Sequence, residues 1–594
     1  MGTGTERRLF YYGDALLATL LATMLAAAWA LRDWHQLSAL RLPDTDDVMR
    51  LQQIRDWIAG QHFTDLSQHR LGEAPGLAMH WSRLPDLVPA AIIVLLAPLL
   101  GTHLAELTAV VIWPTLLFAA ALFLVTRIAR SIGGPGTART ALIVAAIAYP
   151  ATTIFLPGRI DHHGLQIVLL LVVTRTLIRP PTLGHGLTAG LAAAASLVIG
   201  METAPLLAAA GLAMAIEWLT ARHAADDRMM GFGIALGAGL LGASIIFKTD
   251  QWSYAACDSF TATAWRGAVI AAFAPMLLAL AARDVTRPAT RALLAALVAG
   301  VIGAGVIMVA PQCLAPYGMV DPLLARLWLG KVGEAQPLFG AAPGVAIGYA
   351  GVMVAGVVAT AWRLHVTRDN RWIALLLLQS AALALTCIQL RGAYAGAMLA
   401  APGLAAVIGE ARRRGTAWLA GAWILSAGML YPLAAEALTR HDAGQAGGQV
   451  AGQGSGLEGA SCTSPEALAA LGSLPPGRLL APLDLGAYAI GMTRLSVVGA
   501  PYHRNNAGNL AVYRFFLGGS DQAAEIARQW NIRYVAICPD SFTELGPIAA
   551  DKARMVALLH RGAAPAWLKP IATDAPGIAL YRVEPGLFRR AAAL

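Results

Sequence analysis

Charged residues are scarce in this chain of 594 residues: Asp, Glu, Lys and Arg together make up 13% of it, whereas hydrophobic residues make up 57%. A soluble domain usually carries about 25% charged residues. So few charges cannot cover the surface of a soluble protein of this length. The composition therefore excludes a soluble enzyme.

The hydrophobic residues are concentrated in long runs that contain no charged residue. Examples are Ala15–Leu31, Leu107–Val125 and Ala292–Ala310. A helix made from any of these runs is long enough to cross the ~30 Å hydrocarbon layer of a bilayer. The pattern predicts an all-α protein that crosses the membrane many times and is surrounded by membrane lipids.

Lys and Arg outnumber Asp and Glu by 44 to 35, which gives a net charge of +9. In a multi-pass protein this excess is explained by basic residues retained in cytoplasmic loops, so it predicts no nucleic-acid partner. The basic loops are at residues 127–139, 175–179, 222–228, 283–291, 363–371 and 412–414.

The first hydrophobic run follows Glu6-Arg7-Arg8 and has no small-residue cleavage site after it, so we expect a retained first span with a cytoplasmic N-terminus. Leu87–Leu100 is too short to cross and is expected to be an interfacial or re-entrant helix. Thirteen spans then agree with the basic loops, at residues 14–32, 107–126, 140–156, 164–180, 184–199, 203–219, 230–247, 267–282, 292–310, 343–362, 372–389, 394–409 and 416–434. The odd number places the C-terminal part outside, in the periplasm of a bacterium whose inner (cytoplasmic) membrane holds the chain.

The composition changes abruptly near the end of the last span. Residues 1–436 are expected to form a transmembrane domain with a first external loop at 33–106, followed by a Gly- and Gln-rich linker at 437–460. Residues 461–594 alternate strand-like and helix-like patterns, which predicts an external α/β domain. The strand patterns are at Val497–Ala500, Tyr534–Ile537 and Ile578–Arg582, and the helix patterns are at Gln522–Trp530 and Ala549–Leu559.

Four of the five cysteines fall on the external side. Cys257 and Cys313 lie in two external loops, Cys462 and Cys538 lie in the external domain, and Cys387 lies in a span. An oxidising compartment would allow two disulfides. Two disulfides and four unpaired thiols are both compatible with the sequence.

The first external loop carries three carboxylates within four residues, Asp44, Asp46 and Asp47, directly before the helical pattern Leu51–Ala59. One interpretation is helix capping, in which the carboxylates accept hydrogen bonds from the first turn. The other is a bound divalent cation, which would relieve the repulsion between them. The second interpretation makes these three residues the candidate catalytic carboxylates.

The second external loop contains Asp161, His162 and His163 between two spans. Such polar residues are costly near hydrocarbon unless they have partners. They either lie in the headgroup layer or bind a ligand, with Asp161 as a metal ligand and the histidines on metal or phosphate. The neighbouring oxygen ligands favour Mg²⁺ or Mn²⁺ over zinc.

The late external loop contains Glu334, and Arg391 follows an apolar run at the external boundary. Glu334 is either an ordinary solvated carboxylate or a metal ligand. Arg391 either extends to the membrane surface or binds a lipid-linked phosphate through its planar guanidinium. Glu202, at the outer end of a span, is a further acidic candidate with no motif around it.

These elements, in this order and on this side of the membrane, resemble the GT-C class of membrane glycosyltransferases, and within it the catalytic subunit of oligosaccharyltransferases. The matching elements are Asp46-Asp47-Val48-Met49-Arg50, Gly158-Arg159-Ile160-Asp161-His162-His163, Val332-Gly333-Glu334-Ala335-Gln336-Pro337 and Arg391. Each motif is short, but their shared order is much more specific than any one of them.

The resemblance implies an inverting glycosyltransferase that moves a sugar or oligosaccharide from a polyprenyl phosphate or diphosphate donor to a glycan, lipid or protein acceptor. It implies that Asp46 orients or deprotonates the acceptor. On this basis we expect a divalent metal, Mg²⁺ or Mn²⁺, to be held by Asp46, Asp161, Glu334 and His163, and a donor phosphate to be bound by Arg391 and His162.

The chain departs from the family at the start of the external domain. Oligosaccharyltransferases that modify Asn-x-Ser/Thr carry a Trp-Trp-Asp-Tyr-Gly element there, whereas this chain has Pro482-Leu483-Asp484-Leu485-Gly486. This departure argues against protein N-glycosylation. Tyr502, His503 and Arg504 form a polar stretch that either contacts the acceptor or is an ordinary loop.

Two functions of other classes are also compatible with a multi-pass chain. A transporter or lipid flippase would place charged residues within spans near the middle of the bilayer. A scaffold would use the external domain to bind a partner. The acidic residues of this chain gather instead at one face and in ordered motifs, which favours the enzyme.

Overall fold

A computed structural model describes residues 4–220, 223–281, 285–315, 317–442 and 461–587. The helices, labelled in chain order, are α1 (Gly4–Arg32), α2 (Trp34–Ser38), α3 (Thr45–Ile58), α4 (Leu87–Leu100), α5 (Thr102–Ala146), α6 (His163–Ile178), α7 (Leu183–Ile199), α8 (Ala204–Thr220), α9 (His223–Ile246), α10 (Ala262–Ala281), α11 (Pro288–Val309), α12 (Pro322–Leu327), α13 (Pro343–Thr367), α14 (Arg371–Ile388), α15 (Gly392–Arg414), α16 (Thr416–Ser426), α17 (Leu430–Asp442), α18 (Pro465–Gly472), α19 (Leu483–Met492), α20 (Asn506–Leu517), α21 (Ser520–Gln529), α22 (Pro547–Ala550) and α23 (Met555–His560). The strands are β1 (Ser67–Gln68), β2 (Leu77–Ala78), β3 (Arg478–Leu480), β4 (Ser496–Val497), β5 (Tyr534–Ile537), β6 (Leu568–Ile571) and β7 (Ala579–Val583).

The predicted class, a multi-pass helical protein with a C-terminal α/β part, is confirmed. Within the described ranges, nine helices are long and apolar enough to cross a bilayer, or ten if α16 and α17, which meet at 88°, form one broken span. The sequence predicted thirteen spans. The numbers differ because α6 and α7 have only 16 and 17 residues, and because two predicted spans lie within α5.

Helix α5 is interrupted at Gly134, where φ is 78° and ψ is −172°. A positive φ favours glycine, and the following Pro135 lacks the N–H that would continue the helix. The predicted span 140–156 is wrong at its outer end, because the α-helix stops at Ala146 and a short 3₁₀ helix, Ala151–Phe155, follows. The predicted short helix Leu87–Leu100 is present with those bounds.

The described residues fall into two compact units. The helical unit contains Met1–Arg32, Trp81–Gly318 and Val332–Gly448, and the sheet unit contains Asp33–His80, Met319–Lys331 and Gln449–Leu594. The part of the first loop that carries the Asp cluster therefore belongs to the same unit as the C-terminal α/β part.

Small residues allow close helix packing in the helical unit. A Cβ atom at Gly190 of α7 would lie 2.3 Å from the carbonyl oxygen of Phe232 in α9. Such contacts between backbones are typical of membrane helices, where small residues replace the hydrophobic drive for association. The Ala- and Gly-rich spans are thus explained by packing.

The sheet unit is built on a mixed five-stranded sheet with the order β4-β3-β5-β7-β6. Strand β3 is parallel to β4 and β5, whereas β7 is antiparallel to β5 and β6. The predicted strand Tyr534–Ile537 is present with those bounds, and the predicted helix Ala549–Leu559 is two short helices, α22 and α23. The sequence patterns missed β3 and β6.

Both units contain a disulfide. Cys257 pairs with Cys313, with their Cα atoms 5.1 Å apart, and Cys462 pairs with Cys538, with their Cα atoms 5.6 Å apart. Cys387 is not paired. Of the two possibilities that the sequence allowed, the structure has two disulfides.

Candidate functional site

A buried cluster of one carboxylate and two imidazoles lies at the start of α6. Asp161 precedes the helix, and its carboxylate accepts a hydrogen bond from the His162 backbone N–H at 2.6 Å. The Nδ1 atoms of His162 and His163 both contact the same carboxylate. The two rings stack with their centroids 4.3 Å apart. All three side chains are buried, so little solvent screens the interactions between them.

Glu202 connects this cluster to a late part of the chain. Its Oε2 lies 2.7 Å from Nε2 of His162, and its Oε1 accepts a hydrogen bond from Nη1 of Arg391 at 3.0 Å. Burial alone would lower the pKa of His162, but the charges of Asp161 and Glu202 on its two sides raise the pKa to about 10. His162 is therefore an imidazolium cation held between two carboxylates at neutral pH.

Arg391 joins the late external loop to the cluster. Its backbone N–H donates to the carbonyl of Glu334 at 3.0 Å, and its Nη2 lies 3.4 Å from Glu334 Oε1. The neighbouring Leu390 N–H donates to the Gln336 carbonyl at 3.0 Å. These bonds fix Glu334 and Arg391 side by side at the start of α15. The result is one charged network that runs through Asp161, His162, Glu202, Arg391 and Glu334.

The cluster has the donor atoms that a divalent metal requires. Asp161, His162 and His163 bring their polar side-chain atoms within 4.8 Å of one another, and Asp161 and His163 are the candidate ligands because an imidazolium at His162 has no free lone pair. His163 Nε2 is buried and has no hydrogen-bond partner among the described residues, while its Nδ1 contacts Asp161. A histidine held by a carboxylate through one nitrogen and open at the other is the usual arrangement of a metal ligand. Glu202 Oε2 lies 3.9 Å from the same Nε2, so the residues present fit a cation.

Glu202 is the residue that the sequence motifs failed to assign. It follows Gly200-Met201 at the start of an apolar helix and lies in no recognisable pattern. The one signal in the sequence is the position of this carboxylate at the end of a membrane helix. A charge there is energetically costly unless it has a partner. Its partners, His162 and Arg391, are 40 and 189 residues away in sequence.

The three carboxylates of the first loop lie in the sheet unit, at the start of α3. Asp44 is the N-cap of this helix and accepts a hydrogen bond from the Asp46 N–H at 3.0 Å. The capping interpretation is therefore right for Asp44. Asp47 is fully buried, whereas Asp46 is half-buried, which leaves Asp46 as the more accessible carboxylate of the first turn.

Two tyrosines of the C-terminal part form hydrogen bonds to the backbone around the turn that contains Asp44, Asp46 and Asp47. The Tyr502 hydroxyl donates to the Thr45 carbonyl at 3.1 Å, and the Tyr488 hydroxyl donates to the Leu42 carbonyl at 2.9 Å. Tyr502 is 1% exposed, so its hydroxyl positions the backbone beside Asp46. The two residues after Tyr502 contact the end of the first-loop segment 33–80 of the same unit. The His503 ring lies 4.5 Å from that of His80, and Arg504 Nη1 lies 3.4 Å from the Ala78 carbonyl.

Asp484, in the stretch Pro482–Gly486, lies in the first turn of α19 and is exposed. Partial desolvation by neighbouring residues, reinforced by the carboxylates of Asp44 and Glu544, raises the pKa of Asp484 to about 6. The folded state therefore binds the proton more tightly than the unfolded chain does. The free energy of unfolding should decrease as the pH rises from the ordinary Asp range to this value.

We expect Asp484→Asn to stabilise the protein at neutral pH. The substitution removes the repulsion between the Asp484 carboxylate and those of Asp44 and Glu544. For an exposed group, solvent screening limits this effect to about 1 kcal/mol at pH 7, and it vanishes near pH 4. Thermal unfolding of the wild type and the variant at both pH values measures this. A Tm difference that does not change with pH would contradict the assignment.

The sequence matches no protein-family model and no curated protein. The structure does match solved proteins. The oligosaccharyltransferase AglB of the archaeon Archaeoglobus fulgidus, solved with an inhibitory peptide and a dolichol-phosphate, aligns with a TM-score of 0.67 and 14% identity over 97% of this chain and 74% of that one. The oligosaccharyltransferase of the same organism solved with Zn and sulfate aligns with a TM-score of 0.59 and 14% identity over 96% and 73%.

A third match is that oligosaccharyltransferase tethered to an acceptor peptide with an NVT sequon, with a TM-score of 0.61 and 14% identity over 97% of this chain and 74% of that one. The alignments cover both units of this chain. At this level of identity they establish the fold and leave the reaction open. The described chain therefore shares its fold with these archaeal oligosaccharyltransferase structures.

Proposed function

We propose that the chain is a glycosyltransferase that moves a sugar or oligosaccharide from a polyprenyl phosphate or diphosphate donor to an acceptor at the external face of a bacterial inner membrane. The observation that carries this proposal is the charged network of Asp161, His162, Glu202, Arg391 and Glu334 within this fold, in which the first two residues are buried and the other three are partly buried. The solved proteins of the same fold include complexes with dolichol-phosphate and with an acceptor peptide, which supports a lipid-linked donor.

Arg391 and His162 are the donor-binding residues in this proposal. Nε of Arg391 is buried and has no hydrogen-bond partner in the described part of the chain, while its Nη atoms contact Glu202 and Glu334. These two carboxylates hold the guanidinium plane in place. A guanidinium fixed in this way can donate to a phosphate oxygen, and the imidazolium of His162 adds a second positive charge.

Asp161 and His163, with Glu202, would hold a divalent metal ion. When bound, the ion supplies positive charge next to the departing phosphate. Asp161 also orients both histidine rings through their Nδ1 atoms, and this role does not depend on a metal. The pairing of His162 with Asp161 and Glu202 keeps its proton on the ring.

The reaction is a single displacement at the anomeric carbon. The acceptor atom forms a bond to this carbon, the bond from the carbon to the phosphate oxygen breaks, and its electron pair leaves with the phosphate. The acceptor proton passes to a base, and the half-buried carboxylate of Asp46 is the base that we propose. Asp44, as a helix cap, and Asp47, as a buried side chain, position Asp46. One displacement inverts the anomeric configuration and needs no covalent intermediate with the protein.

The acceptor is not expected to be an Asn-x-Ser/Thr peptide. The family reads the acceptor hydroxyl with the Trp-Trp-Asp-Tyr-Gly element, whereas this chain has Leu483-Asp484-Leu485 in a helix that buries both leucines. The polar stretch His503-Arg504, with the turn that Tyr502 supports, is the acceptor-binding segment in our proposal. A glycan or a lipid acceptor fits these residues better than a sequon.

We expect removal of divalent metal to abolish transfer. Purified protein in proteoliposomes, supplied with lipid-linked sugars and glycan acceptors extracted from the same membranes, should lose activity by at least about a hundredfold in a chelator, because charge stabilisation of the leaving phosphate is lost. Mg²⁺ or Mn²⁺ should restore it.

The formation of glycosylated acceptor and the loss of donor are both followed by mass spectrometry. If transfer survives complete removal of metal, the metal assignment is wrong and His162, His163 and Arg391 must neutralise the phosphate themselves. If neither metal nor protein changes the donor pool, the proposed function itself is wrong.

A further inference from the structure

A cavity in the sheet unit, unrelated to the residues of the proposed reaction, is lined by arginine. It has a volume of about 710 Å³, and Arg478, Arg533 and Arg582 lie on its wall. A volume of several hundred Å³ is typical of sites for small molecules and sugars. Among the described residues that line it, one carboxylate, Glu584, opposes the three guanidinium groups.

The three arginines are placed by the sheet. Arg478 begins β3, Arg533 precedes β5, and Arg582 lies near the end of β7, which is antiparallel. The Arg533 N–H donates to the Arg478 carbonyl at 2.8 Å, and the Val583 N–H donates to the Arg533 carbonyl at 3.0 Å. Hydrogen-bonded backbones therefore bring all three side chains to the same end of the sheet.

Each of the three guanidinium groups uses only part of its hydrogen-bonding capacity within the sheet unit. Arg478 donates to the Trp530 carbonyl at 3.3 Å, Arg533 donates to the Pro476 carbonyl at 3.0 Å, and Arg582 donates to Glu584 at 2.9 Å. A guanidinium has five N–H donors. These contacts orient the groups and leave donors for a ligand.

A second cavity of about 690 Å³ adjoins the first and is also lined by three arginines, Arg55, Arg70 and Arg494. The consecutive residues Pro476 and Gly477 line the second and the first cavity respectively.

Arg55 and Arg70 form hydrogen bonds to backbone carbonyls at the end of α19. Arg55 donates to the Gly491 carbonyl at 2.6 Å, and Arg70 donates to the Ile490 and Thr493 carbonyls at 2.8 and 2.7 Å. Arg494 is exposed. No carboxylate lies among the described residues that line this second cavity.

We infer that these two adjoining cavities, the arginine cavities, bind an anionic saccharide that carries carboxylate or phosphate groups on successive sugars. The lining residues give formal charges of +2 and +3, and concave surfaces of one sign concentrate counter-charged ligands. The planar fork of Arg matches carboxylate and phosphate with paired hydrogen bonds, which an ammonium group does not provide.

A saccharide fits the cavities better than a membrane surface does. The basic lining residues are all arginines, whose planar forks pair with single anionic groups, and Ser496 and Asn531 add uncharged polar groups in the first cavity. This inference goes beyond the proposed transfer reaction. Its test measures binding alone, so a failure to bind the saccharide would not decide whether the chain transfers sugar.

The test measures binding of a fluorescent oligogalacturonate to the full chain in nanodiscs of phosphatidylcholine, by anisotropy. We expect the triple variant Arg478→Gln, Arg533→Gln, Arg582→Gln to weaken the Kd by at least about tenfold, because three charge-assisted contacts are lost. A matched control replaces the exposed residues Arg514, Lys552 and Arg561 with Gln. These lie in the same unit but line neither cavity, so the control should bind like the wild type.

A second variant guards against misfolding of the first. Replacing Arg478, Arg533 and Arg582 with Lys keeps the charge but removes the forked donors, and should weaken the Kd a few-fold. Equal binding by the wild type and both variants would overturn the site. Equal affinity for neutral maltohexaose, for inorganic phosphate or for phosphatidylglycerol vesicles would overturn the assignment to an anionic saccharide.

Discussion

Replacement of Asp161 with Asn is expected to abolish sugar transfer while the protein remains folded. The neutral side chain keeps its size and can still accept the His162 N–H, but it no longer supplies the charge that holds both imidazoles. His163 would lose the partner that fixes its Nδ1. Loss of an oriented ligand and of the histidine charge together should lower the rate by at least about a hundredfold.

The measurement is single-turnover transfer in proteoliposomes, followed by mass spectrometry of the acceptor. Asp369→Asn is the matched control, because Asp369 pairs with Arg371 outside the charged network. This control should transfer sugar at the wild-type rate. An Asp161→Asn enzyme with full activity would remove the second loop from the catalytic site.

Replacement of Arg391 with Lys is expected to impair donor binding more than the chemical step. A lysine keeps the positive charge, but one ammonium group cannot contact Glu202 and Glu334 and still present a planar donor to phosphate. The KM for the lipid-linked donor should increase by about tenfold or more, with a smaller change in kcat. The pH profile should also change, because Glu202 then interacts less with its arginine and more with His162.

The matched control is Arg371→Lys, since Arg371 also pairs with a carboxylate, Asp369, but is nearly half exposed. Its donor KM should equal that of the wild type. If Arg391→Lys changes only the stability of the protein and leaves KM unchanged, Arg391 is a structural residue and the donor phosphate binds elsewhere.

The sequence predicted those parts of the site that lie in motifs. Asp161, His163, Glu334 and Arg391 stand in short patterns with charged residues that an apolar chain does not otherwise carry, and the structure places them in one network. The network depends on Glu202, however, which no motif marks. Its role arises from a tertiary contact with His162, and a local pattern carries no information about such a contact.

The fold was predictable to a similar degree. Long apolar runs indicated the membrane helices, and alternation indicated β5, because both signals are periodic within one element. Strand β3 has three residues and β6 includes Pro570, so neither shows a strand pattern. Pairing of Cys257 with Cys313 and the shared unit of residues 33–80 with the C-terminal part are decided by tertiary packing.

Helix α5 illustrates the same limit within one element. Its two apolar stretches were correctly recognised, but the end of the second at Ala146 depends on a bend that Ile147–Pro150 make against their neighbours. Hydrophobic residues continue past Ala146, so the hydropathy pattern overestimates the length of the helix. The loop that contains Asp161 begins after this early end.

The central claim is that this chain transfers sugar from a lipid-linked donor through the network around Asp161. The most direct measurement is mass spectrometry of lipid-linked sugars and surface glycoconjugates in cells with the wild-type gene, without the gene, and with Asp161→Asn. The account predicts that both altered strains accumulate the same polyprenyl-linked sugar and lose the same glycoconjugate. Unchanged donor and glycoconjugate pools in the Asp161→Asn strain, with the variant present at the wild-type level, would contradict it.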